Sequence, residues 1–184
     1  MLMAFLIYND GIATFIRMAT IYGTELGLDA NHMIGAIVLV QFIGIPASFG
    51  FGALAQRFGT KPMILVGVTT YAGCGLLGYG MSTQAEFYLL ATMIGLVQGG
   101  TQALSRSLYA SLVPARRSGE FFGLFAVLDR FAGILGPLLF LFCAEVFGSS
   151  RAAVVPLIGL FVVGGFLLTR VDVTAGRRAA REAE

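Results

Sequence analysis

Residues 1–26 read MLMAFLIYNDGIATFIRMATIYGTEL, and this stretch decides the class of the protein. It is apolar and long enough to cross a bilayer, which takes about 20 residues, yet it carries Asp10 and Arg17 in its interior. An ionised side chain at membrane depth costs about 2.5–3.5 kcal/mol on insertion scales, so it persists where it faces protein or a water-filled space. On a helix Asp10, Thr14 and Arg17 fall at i, i+4 and i+7 and share one face, flanked by Tyr8 and Asn9. Gly11, next to Asp10, permits a local break.

The same oddity recurs further along. Gln98, Gln102, Arg106 and Tyr109 form a polar stripe along one helical run, with Ser105 beside it. Asp129 and Arg130 sit in another run, with Glu145 near its end. Around these residues the composition is that of a membrane protein. Of 184 residues 57% are hydrophobic and 12% charged, with mean hydropathy +0.85, against about 25% charged in soluble domains. Six runs are long enough to span, at about 1–26, 33–55, 62–81, 87–112, 120–148 and 152–170, leaving 171–184 as a polar tail, frayed or lying on the surface. The expected fold class is therefore an all-α membrane protein with six transmembrane helices.

Positive charge orients the bundle. Arg57, Lys61, Arg116, Arg117, Arg170, Arg177, Arg178 and Arg181 lie on one side, and Arg151 alone lies on the other. By the positive-inside rule both termini are cytoplasmic, in a multi-pass protein of the cell (cytoplasmic) membrane. The bias also predicts that all copies insert the same way round.

Several classes are disfavoured. A net charge of +2 does not suggest nucleic acid as a partner. There is no nucleophile–base pair, metal-ligand spacing or phosphate loop, so neither an enzyme nor a cofactor is expected, and no metal. Cys74 and Cys143 read as small buried hydrophobes, and His32 as a solvated or interfacial residue in an outer connection. Small residues at four-residue spacing, Gly44, Ser48 and Gly52 and again Gly95 and Gly99, let helices approach closely. Pro46 and Gly136–Pro137 are expected bends. The in-span charges admit two readings that can hold together. Asp10 or Asp129 neutralises Arg106 or Arg130 within the bundle, or spans one and four line a solvated cavity in which Gln98 and Gln102 meet a ligand.

The connection after the second span contains Gly52, Gln56, Arg57, Gly59 and Lys61. This resembles the signature loop of the major facilitator superfamily, with Gln56 in the acidic position, and implies that Gly52, Arg57, Gly59 and Lys61 form a gating loop. Tyr8-Asn9-Asp10-Gly11-Ile12-Ala13-Thr14 looks like the Y-x-D-G-x-x-T segment of the vacuolar-effluxer-like branch. Residues 98–107 (QGGTQALSRS) and 119–123 (GEFFG) are similar to further segments of it. Gly133 to Pro137 also resembles the Gly-Pro motif of drug antiporters. The order of these segments fits the C-terminal six helices of the branch, one half of a major-facilitator fold, whose members are implicated in amino-acid export.

The resemblance implies a half-transporter that moves a small polar solute, an amino acid, a related compound or a drug, by alternating access. The site expected is Tyr8, Asn9, Asp10, Thr14, Arg17, Gln98, Gln102 and Arg106. Asp10 and Arg17 would receive a zwitterion, or Asp10 would carry a coupling proton. The partners implied are the lipid bilayer, the solute, and either a second copy in a parallel homodimer or a separate six-helix half. A non-transporting membrane scaffold is the remaining alternative.

Overall fold

The structure, a computed structural model, describes residues 1–25, 27–131, 133–147 and 154–183. Arg151 and residues 152–153 at the start of the expected sixth span lie outside the described residues. Eight α-helices are described: α1 (Leu2–Glu25), α2 (Ala30–Phe58), α3 (Thr60–Gly80), α4 (Gln84–Ala110), α5 (Ser118–Phe131), α6 (Leu135–Phe147), α7 (Val154–Thr169) and α8 (Val173–Glu182), with a 3-10 turn at Ala115–Arg117 before α5. No strand occurs among the described residues.

The helix ends follow from local chemistry. Thr83 and Glu86 form a capping box, in which the Glu86 carboxylate accepts the Thr83 N–H at 2.9 Å and the Thr83 hydroxyl accepts the Glu86 N–H at 3.3 Å. Helix α2 stops at Gly59, whose φ of +97° favours glycine, and α3 begins at the next residue. Pro137 is tolerated because it falls in the first turn of α6, where N–H groups lack intrahelical partners.

Helix α2 packs on α4, α1 on α7, and α3 lies against both α4 and α7. Apolar burial gives little drive in lipid, so close van der Waals fit matters most. The two stripes of small residues supply it by meeting each other. A Cβ on Gly99 would lie 3.5 Å from the Gly44 carbonyl, and one on Gly44 would lie 3.6 Å from that of Gly95. Between α1, α3 and α7 the contact is aromatic, with Tyr71 stacked on Phe161 at 5.5 Å and Phe15 edge-on to both.

Two expectations change. Helix α1 runs unbroken through Gly11, which instead allows α7 to come close: a Cβ there would sit 2.9 Å from Phe161 Cε1. The expected fifth span is two helices, α5 and α6, parted beside Gly133 at φ +100°. Of the two readings of the tail, the structure has the one that lies on the surface, with α8 formed at a 60° bend from α7 and Arg178 and Arg181 exposed. By length and hydropathy three described helices qualify, α1, α2 and α3, or four if α7 with α8 is one span. Helix α4 is long enough, but its amides and Arg106 lower its hydropathy. Helices α5 and α6, at 14 and 13 residues, are each too short.

Candidate functional site

Helix α1 places Asp10 and Arg17 on the two backbone polar groups of one residue, Gly133, in the broken span. The buried Asp10 carboxylate accepts the N–H of Gly133 through Oδ1 and that of Gly136, at 2.5 Å, through Oδ2. The Arg17 guanidinium donates to the Gly133 carbonyl at 3.1 Å. Asp10 thus caps α6 from another helix, its charge set against the positive end of the α6 dipole. Thr14, fully buried one turn on from Asp10, packs on Gly136, where any Cβ would collide with its hydroxyl. The Thr14 hydroxyl has no hydrogen-bond partner among the described residues.

A second seam ties α1 to α4 and α5. The Tyr8 hydroxyl donates to Ser105 Oγ at 2.6 Å, and Ser105 Oγ donates to the Thr101 carbonyl at 2.6 Å. Asn9 Nδ2 donates to Asp129 Oδ1 at 2.9 Å, while Arg106 Nη2 stands 4.0 Å from Asp129 Oδ2 with 61% of its side chain exposed. Of the pairings expected inside the bundle, Asp129 with Arg106 forms at the limit of ion-pair range and is worth little. Asp10 takes backbone amides instead, and Arg130 is exposed.

Spans one and four do line a cavity, of about 160 Å³, with α2 as its third wall. Its surface is mainly apolar, including Phe15, Met18, Ile37, Leu90 and Ile94. Of the expected site residues only Gln98 reaches it. Its Oε1 is buried and unpartnered among the described residues. Tyr8, Asn9, Asp10, Thr14, Arg17, Gln102 and Arg106 are not in its wall. The residue sequence reasoning missed is Gln41, which lines the cavity from α2. Its signal was there: Gln41 and Ser48 are the only polar side chains in 33–55.

In the expected gating loop, Lys61 Nζ donates to the carbonyls of Thr169 at 2.9 Å and Val171 at 2.7 Å, tying the start of α3 to the α7–α8 corner. Arg57 is exposed and lies over the Phe58 ring at 5.5 Å. Gly52 is half-buried in open space. His32 is not simply solvated. Its Nδ1 lies 2.5 Å from Gln84 Nε2 and 3.2 Å from the Tyr88 hydroxyl, joining the first turns of α2 and α4. No cluster of metal-binding side chains exists among the described residues.

The family pattern described as "Vacuole effluxer Atg22 like" matches residues 1–181. The chain belongs to the Atg22-like vacuole effluxer family. Within that family it is 41% identical over 170 residues to the uncharacterized MFS-type transporter YxiO of Bacillus subtilis, a match covering 92% of this chain and 40% of that protein. It is 32% identical over 198 residues to Autophagy-related protein 22 of Cryptococcus neoformans, covering 98% of this chain and 36% of that one. Autophagy-related protein 22-1 of Phaeosphaeria nodorum is 29% identical over 98% of this chain and 35% of its own length. The chain therefore spans between about a third and two-fifths of the length of the relatives it matches. Its membership makes it a membrane protein of the MFS-transporter type.

Proposed function

We propose that this Atg22-like chain is one half of a transporter that moves a small zwitterionic solute, an amino acid or a close relative, by alternating access. The observation that carries this reading is the grip of Asp10 and Arg17 on the backbone N–H and carbonyl of Gly133. Gly133 offers its N–H to the carboxylate and its C=O to the guanidinium. An amino acid offers an ammonium and a carboxylate in the same order. A solute reaching these two side chains would replace Gly133 and free the break in the fifth span, so that binding and helix movement compete for the same groups. Such competition gives a ligand different affinities for two conformations, which any ligand-driven switch requires.

The cavity between α1, α2 and α4 fits the approach route, with Gln41 and Gln98 as hydrogen-bonding groups on an apolar wall suited to a solute with an apolar side chain. Gln102 and Arg106, with Tyr8, Asn9 and Thr14, support the polar seam beside it. Gly59, between Arg57 in the last turn of α2 and Lys61 in the first turn of α3, is the hinge of the gate, with Gly52 further back within α2, and α2 moves there relative to α3 and the α7–α8 corner.

Transport by rocking needs a second half. In the first reading a second copy of this chain supplies it as a parallel homodimer, and the one-sided distribution of arginine and lysine supports the parallel arrangement. A distinct six-helix half is the second reading. It is favoured by the relatives, which extend well beyond the region matched here. The mass of the purified chain in nanodiscs separates them: a two-chain particle supports the homodimer, and a monomer supports the distinct half.

The test of the site is flux of labelled amino acids into proteoliposomes holding the assembled transporter. Saturable flux that falls at least tenfold in both Asp10→Asn and Arg17→Gln is expected. Flux unchanged in both variants overturns the site assignment.

A further inference from the structure

We propose that α8 is an interfacial helix that binds the phosphate headgroups of anionic phospholipids through Arg178 and Arg181, in the leaflet on the arginine-rich side of the membrane. The proposal does not depend on transport and stands on how the end of the chain is built.

Helix α7 (VVPLIGLFVVGGFLLT) is uniformly apolar, and the chain then turns by 60° into a helix of entirely different character, VTAGRRAARE. The turn is constructed. The Asp172 carboxylate accepts the N–H groups of Thr174 and Ala175, both at 2.9 Å, and Lys61 holds the two carbonyls on the α7 side of the corner. Arg170 lies over the ring of the exposed Phe166 at 4.9 Å, an aromatic and a cation together where an apolar helix ends.

Helix α8 is also seated. Val173, Gly176 and Ala180 form its inner face. A Cβ on Gly176 would lie 2.7 Å from Leu112, Ala180 is buried, and Arg177 Nε donates to Ser111 Oγ at 3.2 Å. This contact sets α8 beside the end of α4 and the turn carrying Arg116 and Arg117. Arg177 is used in seating. Arg178 and Arg181, three residues apart on one exposed face, are not: no carboxylate among the described residues is within ion-pair range of either. With Val173, Thr174, Arg177 and Glu182 they border a shallow depression.

Two exposed guanidinium groups on one face of a seated helix are suited to a phosphate, which each can meet with paired N–H donors. A basic amphipathic helix joined directly to an apolar one lies at headgroup level, where anionic lipids concentrate and attract it. Continuity with α7 and the sign of the charge both favour a lipid over a soluble anion.

The test is native mass spectrometry of the full chain released from bilayers of phosphatidylcholine mixed with phosphatidylglycerol. The wild-type chain is expected to retain phosphatidylglycerol several-fold over its share of the bilayer. The variant R178Q/R181Q is expected to lose that enrichment with helix content unchanged, and R178K/R181K to keep most of it. Equal retention of the two lipids by the wild-type chain overturns the proposal, as does enrichment that survives in R178Q/R181Q. Binding of inorganic phosphate to the delipidated chain in detergent as tightly as a short-chain phosphatidylglycerol, and lost in R178Q/R181Q, would make this a soluble-anion site, and would also overturn it.

Discussion

Asp10 and Gly133 are 123 residues apart in the chain and joined in the bundle, the carboxylate of one accepting the backbone N–H of the other. The same carboxylate holds Gly136, so one side chain satisfies two of the N–H groups that the start of α6 leaves without intrahelical partners. Removing it by Asp10→Ala leaves those groups buried and unpaired, at about 1–3 kcal/mol. Asp10→Asn keeps one acceptor and loses the charge, and is expected to cost less. Thermal unfolding in mild detergent measures both, and equal stability of Asp10→Ala and the native chain would remove the cap from the account.

Gly133 is held at φ +100°, a region that non-glycine residues occupy at a cost of about 1–3 kcal/mol. A Cβ there would also approach Arg17 Nη1 to 3.1 Å. Gly133→Ala is therefore expected to destabilise the chain and to disturb the α5–α6 break. Hydrogen exchange should quicken at Gly136 before it changes in α3. Uniform exchange across all helices would contradict a local effect.

Gln98 buries an oxygen with no partner among the described residues, in a cavity that is otherwise mainly apolar. Such a group is a standing cost of about 1–3 kcal/mol that a ligand can relieve. Gln98→Leu is expected to raise the unfolding temperature and to lower solute flux. A variant that loses both stability and flux would indicate a packing role alone.

Glu86 stands just outside the expected span 87–112, and its carboxylate accepts the N–H groups of Ser82 at 2.8 Å and Thr83 at 2.9 Å. These bonds hold its pKa below the ordinary 4.5. A carboxyl depressed on folding adds stability above its unfolded pKa, and this is lost as pH falls through the lowered value. The start of α4 is therefore expected to fray below about pH 4.5 and not above it. Glu86→Gln, which can still close the box, should flatten that dependence in exchange rates at Phe87 and Tyr88. Unchanged acid fraying in Glu86→Gln would assign it to another group.

Much of the architecture was legible in the chain itself. The lengths of the apolar runs located α1 to α4 closely, because helix formation in an apolar solvent depends on local backbone pairing and local side-chain polarity. The segments shared with the vacuolar-effluxer-like branch gave the family, and the small-residue stripes marked faces of close packing without saying that α2 and α4 would pair. The break in the fifth span was less legible. Gly136–Pro137 marked that region, but the positive φ lies at Gly133, and Pro137 fits in the first turn of α6.

The sequence by itself determined that this chain is helical, apolar and burdened with charges inside its first run, since composition and periodicity are properties of neighbours. Only the tertiary structure decided what those charges do. Asp10 and Arg17 look unpartnered when read along α1, and what they hold is the backbone N–H and carbonyl of a single residue, Gly133, 116–123 positions away in the chain. A hydrogen bond to a backbone N–H or carbonyl carries no signature in residue type, so no reading of spacing could have found it. Lys61 is the same case: its partners are the carbonyls of Thr169 and Val171, which any residues at those positions would have offered.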